Sequence, residues 1–396
     1  MKASPMRLLM GIALLAAAAT CVAHPGHPPI PTPTISISDS RHAIPFELFR
    51  GNRIVVPARI NGRDTTVILD TGASMTTLNR DYARSIGLPE GFKIAAKGAG
   101  GNVDAELVSG LTVEIGGFRI ANASVGVMDL GPIRRSIGRP ISGIIGRELF
   151  NSAVISIDWS KKQIRIQSRD DFKPAPSATA VEVTKKGPFN TIPVSVAGAP
   201  PIEALLDLGN GSALVLPRSY WGDRPELAGL RSAASIAGGV GGMHPARLTT
   251  IPQVSLGGQT FTAVPAILSD SGNNDEPTQM ANVGIGLLTQ FDVDLDLGRD
   301  RIYLTPRADH PPFVRDRAGV RFDLLDDRLK ASFVSMDGPA AAAGLKDGDE
   351  VIAVDGRAVT SAYYERSDWT RDGAGKQVVL TLANGSKVTV KLADYY

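Results

Sequence analysis

Two aspartates, Asp70 and Asp207, stand in matching surroundings: Val67-Ile-Leu-Asp70-Thr-Gly72 and Ala204-Leu-Leu-Asp207-Leu-Gly209. In each, an apolar run carries a carboxyl to the end of a strand, and the glycine that follows permits a tight turn and close approach of another backbone. Two such carboxyls brought face to face cannot both ionise easily, so they share a proton. The ionised member then takes a proton from water while its protonated partner polarises a carbonyl, which is hydrolysis without a covalent intermediate. An isolated Asp-Xaa-Gly is ordinary turn chemistry. The surroundings of each copy therefore decide the reading.

Those surroundings recur in order when residues 50–170 are laid over 188–308. Val56-Pro-Ala-Arg-Ile-Asn-Gly62 answers Ile192-Pro-Val-Ser-Val-Ala-Gly198, each an alternating strand ending in a glycine turn. Leu111-Thr-Val-Glu-Ile-Gly-Gly117 answers Pro252-Gln-Val-Ser-Leu-Gly-Gly258. Ile144-Ile-Gly146 answers Asn282-Val-Gly284, and Val154-Ile-Ser-Ile-Asp158 answers Asp292-Val-Asp-Leu-Asp296. Matches in the same order and at nearly the same spacing indicate a duplicated unit, with Pro174-Ala-Pro-Ser177 as the linker. If the copies pair about a pseudo-twofold axis, the aspartates meet at the seam.

Ile68-Leu-Asp70-Thr-Gly-Ala73 together with Gly143-Ile-Ile-Gly-Arg-Glu-Leu149 resembles the retropepsin family of aspartic peptidases, here as a fused, pepsin-like pair of lobes over residues 46–308. The resemblance implies a mainly β protein: two β-barrel lobes in tandem, 46–170 and 178–308. It implies Asp70 and Asp207 as the catalytic pair, Thr71, Gly72, Leu208 and Gly209 as the active-site turns, and no cofactor or metal. In the family a hydroxyl follows each aspartate and bonds across to the other lobe. Leu208 stands there instead, so Thr71 is expected to lack a reciprocal partner. Asn282 stands where Ile144 implies an apolar residue, and is expected to weaken the packing under the second turn. The glycine-rich stretches 97–101 and 237–242 read either as flaps closing over an extended peptide or as plain loops.

Residues 337–356, Asp337-Gly-Pro through Gly344-Leu to Val354-Asp-Gly356, are similar to the PDZ family, and 313–394 form an α+β domain on that reading. They predict a short helix at 340–343, a turn at Gly344, a strand over 351–354 and an Asp-Gly hairpin. The resemblance implies Gly319, Val320 and Phe322 as the loop that receives a C-terminal peptide carboxylate. Other hydrolytic chemistries find little support. There is no Gly-Xaa-Ser-Xaa-Gly elbow and no His-Glu-Xaa-Xaa-His helix. His42, His244 and His310 sit in no triad context.

Composition fits this picture. The 42 glycines and 27 prolines among 396 residues suit short strands and tight turns. Lys plus Arg number 42 against 40 Asp plus Glu, with no basic stripe, so nucleic acid is not an expected partner. Lys2 and Arg7 precede the apolar run 8–19, and Cys21 and Ala23 are small residues before a cleavage point; residues 1–23 read as a signal peptide and 24–45 as a leader. The expected location is periplasmic or secreted, with membrane attachment only through a lipid at Cys21. Two functions are expected as alternatives: an aspartic endopeptidase acting on peptide or protein substrates, or an exported peptide-binding protein whose second lobe has degenerated. Activity from paired first lobes of two chains is a third arrangement.

Overall fold

The computed structural model describes residues 31–38, 43–270 and 280–396. The expected signal peptide, Cys21 and His42 lie outside them. Among the described residues no helix is long and apolar enough to cross a membrane.

The chain is mainly β, and the same strand arrangement occurs on both sides of residue 178. In the first lobe Arg53–Ile60 runs antiparallel to Arg63–Leu69. The alternation that buries Ile54, Val56, Ala58 and Ile60 follows from the two-residue period of a strand. Gly143–Ile145 lies parallel to Arg63–Leu69, with Ile144 opposite Ile68, and antiparallel to Thr77–Asn79. In the second lobe Phe189–Val196 pairs antiparallel with Ile202–Leu206. Ala281–Val283 lies parallel to Ile202–Leu206, with Asn282 opposite Leu205, and antiparallel to Leu214–Pro217. Each short apolar strand is thus clamped between two others, one of which ends at an aspartate.

The lobes join through a six-stranded sheet. Its central pair sets Val154–Asp158 of the first lobe against Phe291–Asp296 of the second, with Ile155 opposite Leu295. Phe150, Ile155, Phe291 and Leu295 are completely or almost completely buried in one core that spans both lobes. One expectation needs correction here. Two described pieces of the leader 24–45 belong to the sheets, since Thr34–Ile37 pairs with Phe118–Met128 and Ala43–Pro45 closes an edge of the joining sheet. Ile44 is 5% exposed; its burial outweighs the turn-forming composition around it.

Two long hairpins project from the lobes, Phe92–Gly98 with Gly101–Ile115 and Ser232–Gly239 with Gly242–Leu256. Their tips meet, and the Gly100 N–H donates to the Val240 carbonyl at 2.8 Å.

The C-terminal module is a five-strand run with one added short strand. Its helix covers Pro339–Ala342, its strand Glu350–Val354, and Asp355 and Gly356 carry φ of 48° and 75° in the hairpin turn, as the motif predicts. The module is not a free appendage. Its strand Val320–Leu324 packs against the first-lobe helix Gly131–Ile137, and Phe49, Met128 and Leu130 share a hydrophobic cluster with Phe322 and Trp369. Arg50 pairs with Asp368 at 2.8 Å and stacks 3.7 Å over the Tyr364 ring. Arg321 donates to the Ile236 carbonyl on the second hairpin at 3.1 Å.

Candidate active site

The two aspartates meet at the seam. Asp70 ends its strand with its N–H on the Ile145 carbonyl at 3.1 Å, and Asp207 repeats the contact with Val283 at 3.0 Å. The apolar-apolar-glycine segments therefore set the height of each carboxyl. Gly146 cannot be replaced in this packing, because a Cβ there would lie 2.5 Å from the Met75 carbonyl carbon.

A Cβ added at Gly72 would approach the Asp207 carboxyl to 3.0 Å, and one at Gly209 would lie 2.3 Å from that of Asp70. The glycine of each turn thus makes room for the other lobe's aspartate, which the Asp-Xaa-Gly spacing requires if the carboxyls are to face one another. Asp70 Oδ1 accepts the N–H groups of Gly72 and Ala73 at 2.8 and 3.1 Å. Asp207 Oδ1 accepts those of Gly209 and Asn210 at 2.8 and 3.0 Å. Burial, then the charge of Asp207 and a hydrogen bond between the two carboxyls, push Asp70 up to about 8.

Thr71 is 3% exposed, and it does not lack a partner. Its Oγ1 donates to the Leu206 carbonyl at 2.6 Å and accepts the Leu208 N–H at 3.0 Å. One hydroxyl ties two backbone groups that flank Asp207 in the opposite turn, so the missing hydroxyl at 208 leaves no unsatisfied group on Thr71. Leu208 itself is fully buried in the interlobe core. The expectation for Asn282 is also corrected. Rather than loosening an apolar layer, its Nδ2 donates to Asp207 Oδ2 at 2.7 Å, and its Oδ1 accepts from Asn210 Nδ2 at 2.8 Å.

Two further residues belong to the site and carried no sequence signal of their own. Glu148 accepts the Thr76 N–H and hydroxyl at 3.0 Å and is pushed up by burial; it braces the turn that follows Asp70. The Arg53 guanidinium is lowered to about 10 by burial while the charges of Asp207 and Asp70 act in the opposite direction. It donates to the Asn52 carbonyl at 2.6 Å. Only the interlobe packing, which sets Arg53 against Gly211, brings it to the pair.

At the C-terminal module the outcome differs. Val320 and Phe322 are each 5% exposed, and the Gly319 N–H donates to Asp316 Oδ2 at 3.0 Å. Asp316 also accepts the Ala318 N–H at 3.2 Å and the Tyr395 hydroxyl at 2.5 Å. Of the three positions expected to receive a carboxylate, Gly319 thus has its amide on the chain's own Asp316, while the Val320 and Phe322 side chains pack into the core. His244 has Ser269 as a neighbour at 3.2 Å and sits on the second hairpin.

Residues 56–149 match the family model for aspartyl protease, and residues 317–392 match that of the PDZ domain. None of the curated proteins compared with the chain matches it.

Proposed function

We propose that the protein is an aspartic endopeptidase whose water is activated by Asp70 and Asp207. The carrying observation is the mutual approach of each turn glycine to the opposite carboxyl, together with the rise of Asp70 to about 8. A pair that holds one proton near neutral pH contains an acid and a base at once. One carboxylate accepts a proton as the water oxygen bonds to the carbonyl carbon, and the protonated carboxyl gives its proton to the carbonyl oxygen. On collapse a gem-diol hydroxyl returns a proton to the second carboxyl, the first protonates the amine nitrogen, and the C–N bond breaks.

The two hairpins that meet at Gly100 and Val240 support binding of an extended peptide between the lobes, where strand-like backbone pairing supplies affinity and closure excludes water. Export to the periplasm or secretion remains part of the proposal on the strength of the N-terminal sequence.

The rival reading, a peptide binder without catalysis, was motivated by Leu208. It loses that motive, because Thr71 reaches both Leu206 and Leu208. Replacing Asp70 by Asn separates the two readings. Cleavage of a mixed peptide library by the wild type, lost in Asp70→Asn with peptide binding retained, is the expected result; equal cleavage by both proteins would remove the assignment.

A further inference from the structure

The two halves of the pair are not equivalent. In the first lobe Ala73 and Ile144 flank Asp70, and neither side chain has a donor to offer. In the second, Asn210 and Asn282 hold the corresponding places, as the registers Ile144 opposite Ile68 and Asn282 opposite Leu205 establish.

The direction of this second-lobe chain is fixed by a backbone group. The Ser212 N–H, which can only donate, bonds to Asn210 Oδ1 at 3.0 Å, and the Ser212 hydroxyl joins it at 2.8 Å. Asn210 must then present Nδ2 to Asn282 Oδ1 at 2.8 Å. Asn282 in turn must present Nδ2 to Asp207 Oδ2 at 2.7 Å. Both oxygens of Asp207 therefore face N–H donors: Gly209 and Asn210 on Oδ1, Asn282 on Oδ2. Asp70 Oδ1 likewise has two. Among the described residues Asp70 Oδ2 is the one oxygen of the four to which no N–H donates. Each N–H bond to a carboxylate oxygen favours the ionised form and disfavours protonation there, so the oxygen without one is the better place for the shared proton.

We propose that Asn282 is a positioning residue that, through the Ser212–Asn210–Asn282 chain, holds Asp207 as the ionised member of the pair and leaves the shared proton on Asp70 Oδ2. The inference rests on the reading of the two aspartates as a catalytic pair, and it assigns their roles. Asp207 takes the proton of the attacking water, and Asp70 gives its own to the carbonyl oxygen. The high value of Asp70 agrees with this assignment. Arg53 is a further charged group whose field reaches both aspartates, with Arg371 and Arg321 acting on Arg53 in turn. Its charge acts more strongly on Asp207 than on Asp70, so it favours the same ionised member as the asparagines, and the Asn282 and Asn210 variants, which leave Arg53 in place, isolate their share.

The test is Asn282→Ile, which installs the side chain that the first lobe already carries at this place, with Asn210→Ala as a milder break in the same chain. Carboxyl ¹³C resonances of the pair, assigned with Asp70→Asn and Asp207→Asn, are followed against pH alongside the pH profile of kcat/KM. Losing one hydrogen bond to a charged oxygen corresponds to roughly one to two pH units. In Asn282→Ile the lower titration step and the acidic limb of the profile are expected to rise by about that much, with the alkaline limb held in place. Asn210→Ala should shift them less, in the same direction. Unchanged titration steps in both variants, or wild-type resonances that put the proton of the singly protonated pair on Asp207, would overturn the proposal. A side chain that merely packs would lower activity at every pH without moving a limb. If the wild type shows no cleavage that depends on Asp70, the catalytic reading fails, while the carboxyl titration still decides what Asn282 does. If Asn282→Ile fails to fold, Asn210→Ala and the wild-type assignment carry the same decision.

Discussion

At the residue scale, the raised Asp70 carries a cost in stability that grows with pH. Asp70 sits near 8 in the folded chain against about 3.9 when unfolded. Between those values the folded state keeps a proton that the unfolded state has released, so the stability this group contributes is full below about pH 4 and is lost as pH rises through about 8. Asp70→Asn, which cannot ionise, should therefore abolish cleavage and melt a few degrees above the wild type at pH 8, with little difference at pH 4; calorimetry at the two pH values checks the sign. Activity should decline above about pH 8 as Asp70 loses its proton. Thr71 makes the opposite kind of contribution. Thr71→Val removes a buried hydroxyl that serves Leu206 and Leu208 and strands two backbone groups, a loss of about 1–3 kcal/mol readable in denaturant unfolding.

At the element scale, the contact between the hairpin tips leaves no room for a side chain at Gly100. A Cβ at Gly100 would lie 2.0 Å from the Gly242 carbonyl oxygen, so Gly100→Ala has to part the two tips. Overpacking of this kind costs about 1–3 kcal/mol. If closure over the peptide adds to binding, that cost should appear as a roughly tenfold rise in KM, since about 1.4 kcal/mol corresponds to one decade. Steady-state kinetics on one peptide substrate tests it, and an unchanged KM would show that the tips need not meet. The second hairpin has a further brace. Arg321 is lowered by burial and donates to the Ile236 carbonyl, while Ala233 packs with Tyr395 and Tyr396. The last residues of the chain thus touch an element that closes over the proposed cleft.

At the scale of the whole molecule, the PDZ domain is a docked third body. Arg50 joins it to the first lobe through Asp368 and Tyr364, and the Arg371 guanidinium donates to the Arg50 carbonyl at 2.7 Å. Both side chains of the Arg50–Asp368 pair are mostly buried, at 15% and 19% exposure. Removing the arginine leaves Asp368 with less compensation for its desolvation. Arg50→Ala should lower stability by about 2–3 kcal/mol and speed limited proteolysis between the lobes and the PDZ domain; unaltered digestion would mean that apolar packing alone holds the contact.

Much of this was legible in the amino-acid order because the determinants are local. Period-two burial, glycine turns, the Asp-Gly hairpin of the PDZ domain and the duplicated order of motifs each depend on neighbours within a few residues. That locality is also why Asp70 and Asp207 stood out. What the chain order could not disclose depends on partners far apart in sequence. Thr71 bonds residues more than a hundred positions away, and Arg53 acts on Asp207 of the other lobe. Asn282 looked like a flaw in an apolar layer when judged by its neighbours in sequence. It became a donor to Asp207 only once the parallel pairing with the aspartate strand set it beside the carboxyl, because a side chain's role in a buried polar network is decided by which groups the fold places within 3 Å of it.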